Sequence, residues 1–168
     1  MMSAIFNGGY RITQGFGLEN TAPSLVPFYK RLGLVGHNGL DLCPAQWRDY
    51  KSELLSGLTP PDCIVHSPVD FELVRAAPDY SNGAGAYVKG LCRWQGQPCH
   101  IYFFHLDMWF DAIKAGRVAA GEPIGVIGGS GNDKRFAFGV HLHLQLRPVN
   151  GGRANGYGGA VNPVGLLG

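Results

Sequence analysis

The chain of 168 residues is 45% hydrophobic and 15% charged, enough apolar material for one core and too little charge for a disordered segment. Its formal charge of +2 comes from scattered basic residues without a run or an aromatic-interleaved stripe, which argues against a nucleic-acid partner and leaves a polyanionic polymer as a suitable one. No stretch reaches the roughly 18 apolar residues of a membrane helix, and the start, MMSAIFNGGYRITQGFG, lacks the basic and apolar regions of an export signal.

Twenty-six glycines and eleven prolines punctuate short β-branched and aromatic runs, so the expected fold is all-β, an antiparallel sheet or sandwich in a single domain, 1–168. YRITQGFG reads as a strand ending in a glycine turn, and a Pro-containing connection with aromatics runs from Asn20 to Val35. GHNGLDL follows, with His37 and Asp41 four apart around a glycine. Cys43 and Cys63 bracket an insert, 43–63, in which Trp47, Tyr50, Leu54 and Leu58 recur at helical spacing. Gly57 and Pro60–Pro61 act as stop signals, which predicts one short helix, the only substantial one in the chain. CIVHSPVDFELVRAA, AGAYVKGLCRW, CHIYFFHLDMW, EPIGVIGG and VHLHLQLRP then read as strands separated by turn residues, ahead of a glycine-rich tail. The four cysteines lack the C-x-x-C spacing of zinc or redox motifs. Cys92 and Cys99 flank the turn-like RWQGQP, which predicts that they oppose each other across a hairpin and form a disulfide.

In FGVHLHLQLR, strand alternation projects His141 and His143 from one face while Val140, Leu142 and Leu144 take the other. His37 and Asp41 can converge on one ion from a turn, and one histidine of the later pair completes a three-ligand N,N,O set with an open position for catalysis on a metal-activated water. His105, in YFFHLD, is the remaining histidine in an apolar strand that this constellation can use. A cupin-like site would want a carboxylate where Leu146 and Arg147 stand. A non-haem iron triad remains open on ligand types alone, but it gives no role to His105 or to the second member of the H-x-H pair.

In order and approximate spacing, these motifs resemble the lysostaphin-type zinc endopeptidases that cut peptide bonds in bacterial peptidoglycan. The likeness runs through RITQGFG, GHNGLDL, HSPVDFELVRAA, YFFHLD, VAAGEPIGVIGGSGN, GVHLHLQLR and VNPVGLL, nearly the whole chain. The resemblance implies an antiparallel sheet with a zinc groove, His37, Asp41 and His143 as ligands of one Zn2+, and His105 and His141 as catalytic histidines. Because no H-E-x-x-H glutamate is present, histidine would orient the water, shuttle its proton and stabilise the oxyanion. His66, before Ser67–Pro68, and His100, of opposite strand parity to His105, are expected to be structural, and Asp70 and Asp107 to be turn residues. The sequence departs from the family pattern in having Phe138, Gly139 and Val140 before the H-x-H pair, and Leu144 and Gln145 in place of an aromatic-acidic pair after it. The implied substrate is the stem or cross-bridge of peptidoglycan, with a non-catalytic wall-binding or hydrolase-activating protein as the alternative. The start without an export signal leads to the expectation of a phage endolysin or virion-associated lysin, whose targeting comes from a particle or a separate domain. The alternative is an excised domain of a secreted protein.

Overall fold

A computed structural model describes residues 4–167. Ten strands dominate it, and the antiparallel β architecture read from the sequence holds. Seven form one sheet in the order β1 (Tyr10–Gln14), β2 (Leu40–Pro44), β10 (Leu142–Pro148), β6 (Gln97–Leu106), β5 (Ala86–Trp94), β4 (Phe71–Ala77) and β8 (Arg117–Val118). A small second sheet orders β3 (Ile64–His66), β9 (Pro123–Val126) and β7 (Met108–Trp109). Alternation on the long strands builds the core: Val88, Cys92, Cys99, Ile101, Phe103, Leu142, Leu144 and Leu146 all turn to one side, where Phe6, Val65, Ile124 and Ile127 meet them. The opposite side of the central strands presents Lys89, Tyr102, Phe104, His143 and Arg147, polar and aromatic groups that are only partly covered.

Two short helices accompany the sheets, where the sequence pattern predicts one. The expected helix is α2 (Tyr50–Leu55), capped by the Asp49 carboxylate, which accepts from the Ser52 N–H at 3.1 Å. It drops Tyr50 and Leu54 into the core and leaves Trp47 84% exposed. The unexpected one is α1 (Val26–Arg31), inside the stretch read as a plain connection; Pro27 is its start signal, because a proline lacking its N–H costs nothing in a first turn. The strands of Cys92 and Cys99 are opposed as the RWQGQP turn requires, with the two residues in direct register. The predicted disulfide is absent, however, and all four cysteines are buried free thiols. They pack as small apolar side chains, and burial pushes the Cys92 and Cys63 thiols up to about 12. Among the described residues no helix is long and apolar enough to cross a membrane.

Candidate metal centre

The site forms where β2 and β10 pair, the second and third strands of the large sheet. Asp41 and His143 are direct cross-strand partners, and His37 enters from the turn just before β2. His37 is fixed by its surroundings. Its backbone N–H donates to Thr21 Oγ1 at 2.9 Å, and its Nδ1 lies 2.8 Å from the Gly15 carbonyl oxygen. A carbonyl only accepts, so Nδ1 carries the proton and Nε2 turns a lone pair inward. The glycine of HNGLD has a steric cause: a Cβ at Gly39 would stand 2.5 Å from His143 Nε2, so only glycine lets the ring lie there.

His37 Nε2, Asp41 Oδ1 and His143 Nδ1 approach one another within 2.9–3.2 Å. Three lone-pair-bearing atoms at such separations match a tetrahedral centre, whose ligands at 2.0–2.1 Å stand roughly 3.3 Å apart. The N,N,O donor set therefore fits a zinc ion. Burial alone would raise the Asp41 carboxyl, but the close approach of the His143 and His37 rings prevails and holds it well below the usual carboxylate range. Burial pushes His143 down as well, against the pull of Asp41, which favours the neutral imidazole that a metal needs.

His105 and His141 stand beside this triad, with ring centroids 4.8 Å apart. Both are locked in the same tautomer. His105 Nδ1 donates to the Ser130 carbonyl at 2.9 Å and His141 Nδ1 to the Gly139 carbonyl at 2.7 Å, so each Nε2 is free as an acceptor. His141 Nε2 is 3.8 Å from Asp41 Oδ1. Burial, with the charge of His141, drives the His105 pKa down to about 3, so this ring is neutral at ordinary pH. Phe138 packs on His105 at 4.8 Å, and Phe104 lies 5.7 Å from His143, so apolar rings flank the site.

All five residues singled out in the sequence thus meet in one place, but His105 arrives by a route that strand parity does not show. Simple alternation along β6 would turn it into the core with Ile101 and Phe103. Its left-handed backbone (φ 63°) returns it instead to the face of Phe104 and His143. Close-packed glycines hold this kink: Gly128 leaves no room for a Cβ against the Asp107 N–H, and Ser130 Oγ bonds the Leu106 carbonyl and the Ala86 N–H. His100 consequently shares the open face with the site, and it is separated from the triad by distance rather than by parity. His66 lies on β3, away from the cluster, Asp107 pairs with Arg135 at 2.6 Å, and Asp70 accepts from the Ala120 N–H.

One neighbour escaped the sequence reading. Tyr29, on α1, packs its ring 5.7 Å from His37, and burial together with the Asp41 charge pushes its hydroxyl up to about 12. Beside Asp41 and His141 a cleft of about 460 Å³ opens, lined by Arg11 and Gln14 of β1, by Val140, and by Trp47, Arg48, Tyr50 and Lys51 of the insert.

The fold and the cluster can be set against known proteins. No family model matches the chain, and no curated protein matches it in sequence. A crystal structure from Ruminococcus gnavus, of a protein provisionally named a glycyl-glycine endopeptidase, lytM, superposes with a TM-score of 0.54 at 21% identity. The match covers 98% of this chain and 61% of that one, so the chain spans less than two thirds of its structural counterpart. The chain has the fold of this LytM-type structure, and its His-Asp-His cluster fits the lysostaphin-type metal motifs that the sequence resembles.

Proposed function

We propose that the chain is a zinc-dependent endopeptidase acting on peptide bonds of bacterial peptidoglycan. One observation carries this reading: His37, Asp41 and His143 converge on a single point, beside two more histidines whose Nε2 atoms are kept free by backbone carbonyls. The name of the structural counterpart, a glycyl-glycine endopeptidase, agrees with the same chemistry. His37, Asp41 and His143 would hold the zinc, which when bound supplies a Lewis acid for a carbonyl oxygen and acidifies water toward neutral pH.

The remaining steps belong to the chain's own side chains. His141, nearer Asp41, orients the attacking water through Nε2 and accepts its proton as the water adds to the scissile carbonyl. As the C–N bond breaks, the proton that His141 took from the water passes to the leaving amine, and the neutral His105 ring, 4.8 Å from His141, can relay it through Nε2. Because both rings are fixed through Nδ1, little reorientation is needed as charge develops on the carbonyl oxygen.

The test pairs metal content with product analysis. Protein loaded with zinc should clear wall suspensions and release new amino groups, lose both activities on chelation and regain them with zinc. Mass spectrometry of the released fragments identifies the bond. Full zinc occupancy with no new amino groups from walls of several chemotypes would instead make the chain a wall-binding member of the lysostaphin-type group.

A further inference from the structure

The open face of the sheet continues beyond the metal cluster as a ladder of cross-strand rows. The first row is Phe104, His143 and Asp41; the next is Arg75, Lys89, Tyr102 and Gln145; the third is Leu91, His100 and Arg147. Successive rows are two residues, or roughly 7 Å, apart along the strands. The rings form a stair, with Phe104 5.7 Å from His143 and Tyr102 stacked 5.3 Å from Phe104. Two cations lean over Tyr102: Lys89 Nζ at 5.4 Å and Arg147 Cζ at 5.3 Å from the ring centroid.

What holds Arg147 is neutral. With its oxygen turned to the guanidinium, the buried Gln145 amide accepts from Arg147 Nε at 2.7 Å and Nη2 at 2.9 Å, and from Asn38 Nδ2 of the HNGLD turn at 3.2 Å. Those bonds set the fork in place without cancelling its charge, and the remaining guanidinium donors are left over. Among the described residues neither Arg75, Lys89 nor Arg147 has a carboxylate within 4.0 Å; Glu72, across from Leu91 at the far side, is engaged by Arg117 at 3.8 Å. The positive field is felt locally: burial, then Lys89 and Arg147, push the His100 pKa down.

We infer that Lys89, Tyr102 and Arg147 form a carboxylate-binding subsite, selecting peptides that carry a free carboxylate about two residues from the bond being cut. The aromatic stair supports the peptide backbone and the fork reads the carboxylate, a pairing suited to an acidic stem peptide and wasted on a bridge of glycines. The inference rests on the endopeptidase reading, and it concerns which part of the wall that site accepts.

Calorimetric binding to the intact, zinc-free chain tests it without turnover. The probes are a peptidoglycan stem tetrapeptide with free carboxylates, the same peptide with carboxamides in their place, and pentaglycine. The free acid should bind about tenfold more tightly than the amide, with a preference that shrinks as salt rises. Arg147→Gln and Lys89→Gln should each reduce the preference and together abolish it. Gln145→Glu should also reduce it by neutralising the fork, and its melting temperature guards against misfolding. Equal binding of acid and amide, tightest binding of pentaglycine, no measurable binding of any probe, or a preference that survives the double variant would each overturn the subsite. Cleavage of the same peptides by the zinc-loaded chain separates the two readings: turnover without discrimination removes only the subsite, and discrimination without turnover removes only the endopeptidase.

Discussion

His141 and His143 are two residues apart on one face, yet their rings do different work. His143 points Nδ1 at Asp41 and His37, whereas His141 spends Nδ1 on a backbone carbonyl. His143→Ala should therefore lose zinc and activity together, while His141→Ala should keep stoichiometric zinc and lose turnover by about a hundredfold or more, the range of a lost general base. Elemental analysis beside a wall-clearing assay checks both. Gly39→Ala should weaken zinc binding and lower the melting temperature together, because the added methyl would stand 2.5 Å from the His143 ring and 2.6 Å from the Leu144 carbonyl oxygen; zinc titration and a thermal melt read this out. His105 carries an acid liability. Its folded pKa lies near 3, below the roughly 6.5 of an unfolded histidine, so its contribution is complete above pH 6.5 and drains away as the pH falls toward 3. Metal-free protein should accordingly melt at progressively lower temperature across that window, less steeply in a His105→Gln variant. His37, Asp41, His141 and His143 were legible because turn spacing and strand alternation govern where they point. The placement of His105 on their face was not, because a single left-handed residue reverses its parity.

Among the elements, the insert answers a question that its sequence raises, whether its apolar residues wall a groove or fill the core. They divide between the two. Tyr50 and Leu54 are 5% and 2% exposed, and Tyr50 also donates from its hydroxyl to Asp62 at 2.7 Å. Trp47 lines the cleft beside Asp41 and His141, one face of its exposed ring stacked on the Arg11 guanidinium at 3.5 Å. Leu54→Ala should thus cost about 2–5 kcal/mol in a denaturant titration. Trp47→Ala should leave the melting temperature nearly unchanged and alter cleavage of wall fragments, measured as a change in kcat/KM between walls of different chemotype. Helical spacing exposed α2 to view, with Gly57 and Pro60–Pro61 as its stop signals, whereas the Asp49 cap came only with the structure. The six residues of α1 were hidden because Pro27 reads equally as a loop signal, and Tyr29 was hidden with them.

For the whole molecule, the large sheet joins distant parts of the chain: β2 pairs with β10 across about a hundred residues, and the donor atoms of the metal cluster are divided between the same two regions. An ion bound there ties the first quarter of the chain to its last. Zinc at a hundred times its dissociation constant should stabilise the fold by about 2.7 kcal/mol, seen as a rise in melting temperature that chelation reverses and that His143→Ala abolishes. The strand order also sets a schedule. β10 comes last in chain order among the described strands and takes an interior place, between β2 and β6. As the chain leaves the ribosome, β1 and β2 can pair as a local ribbon and β4, β5 and β6 as a meander, but within the large sheet the two pieces are joined only when β10 has emerged. His143 rides on that strand, so a chain that stops short of it contains His37 and Asp41 without their third partner, and the metal cluster comes into being only once β10 has emerged.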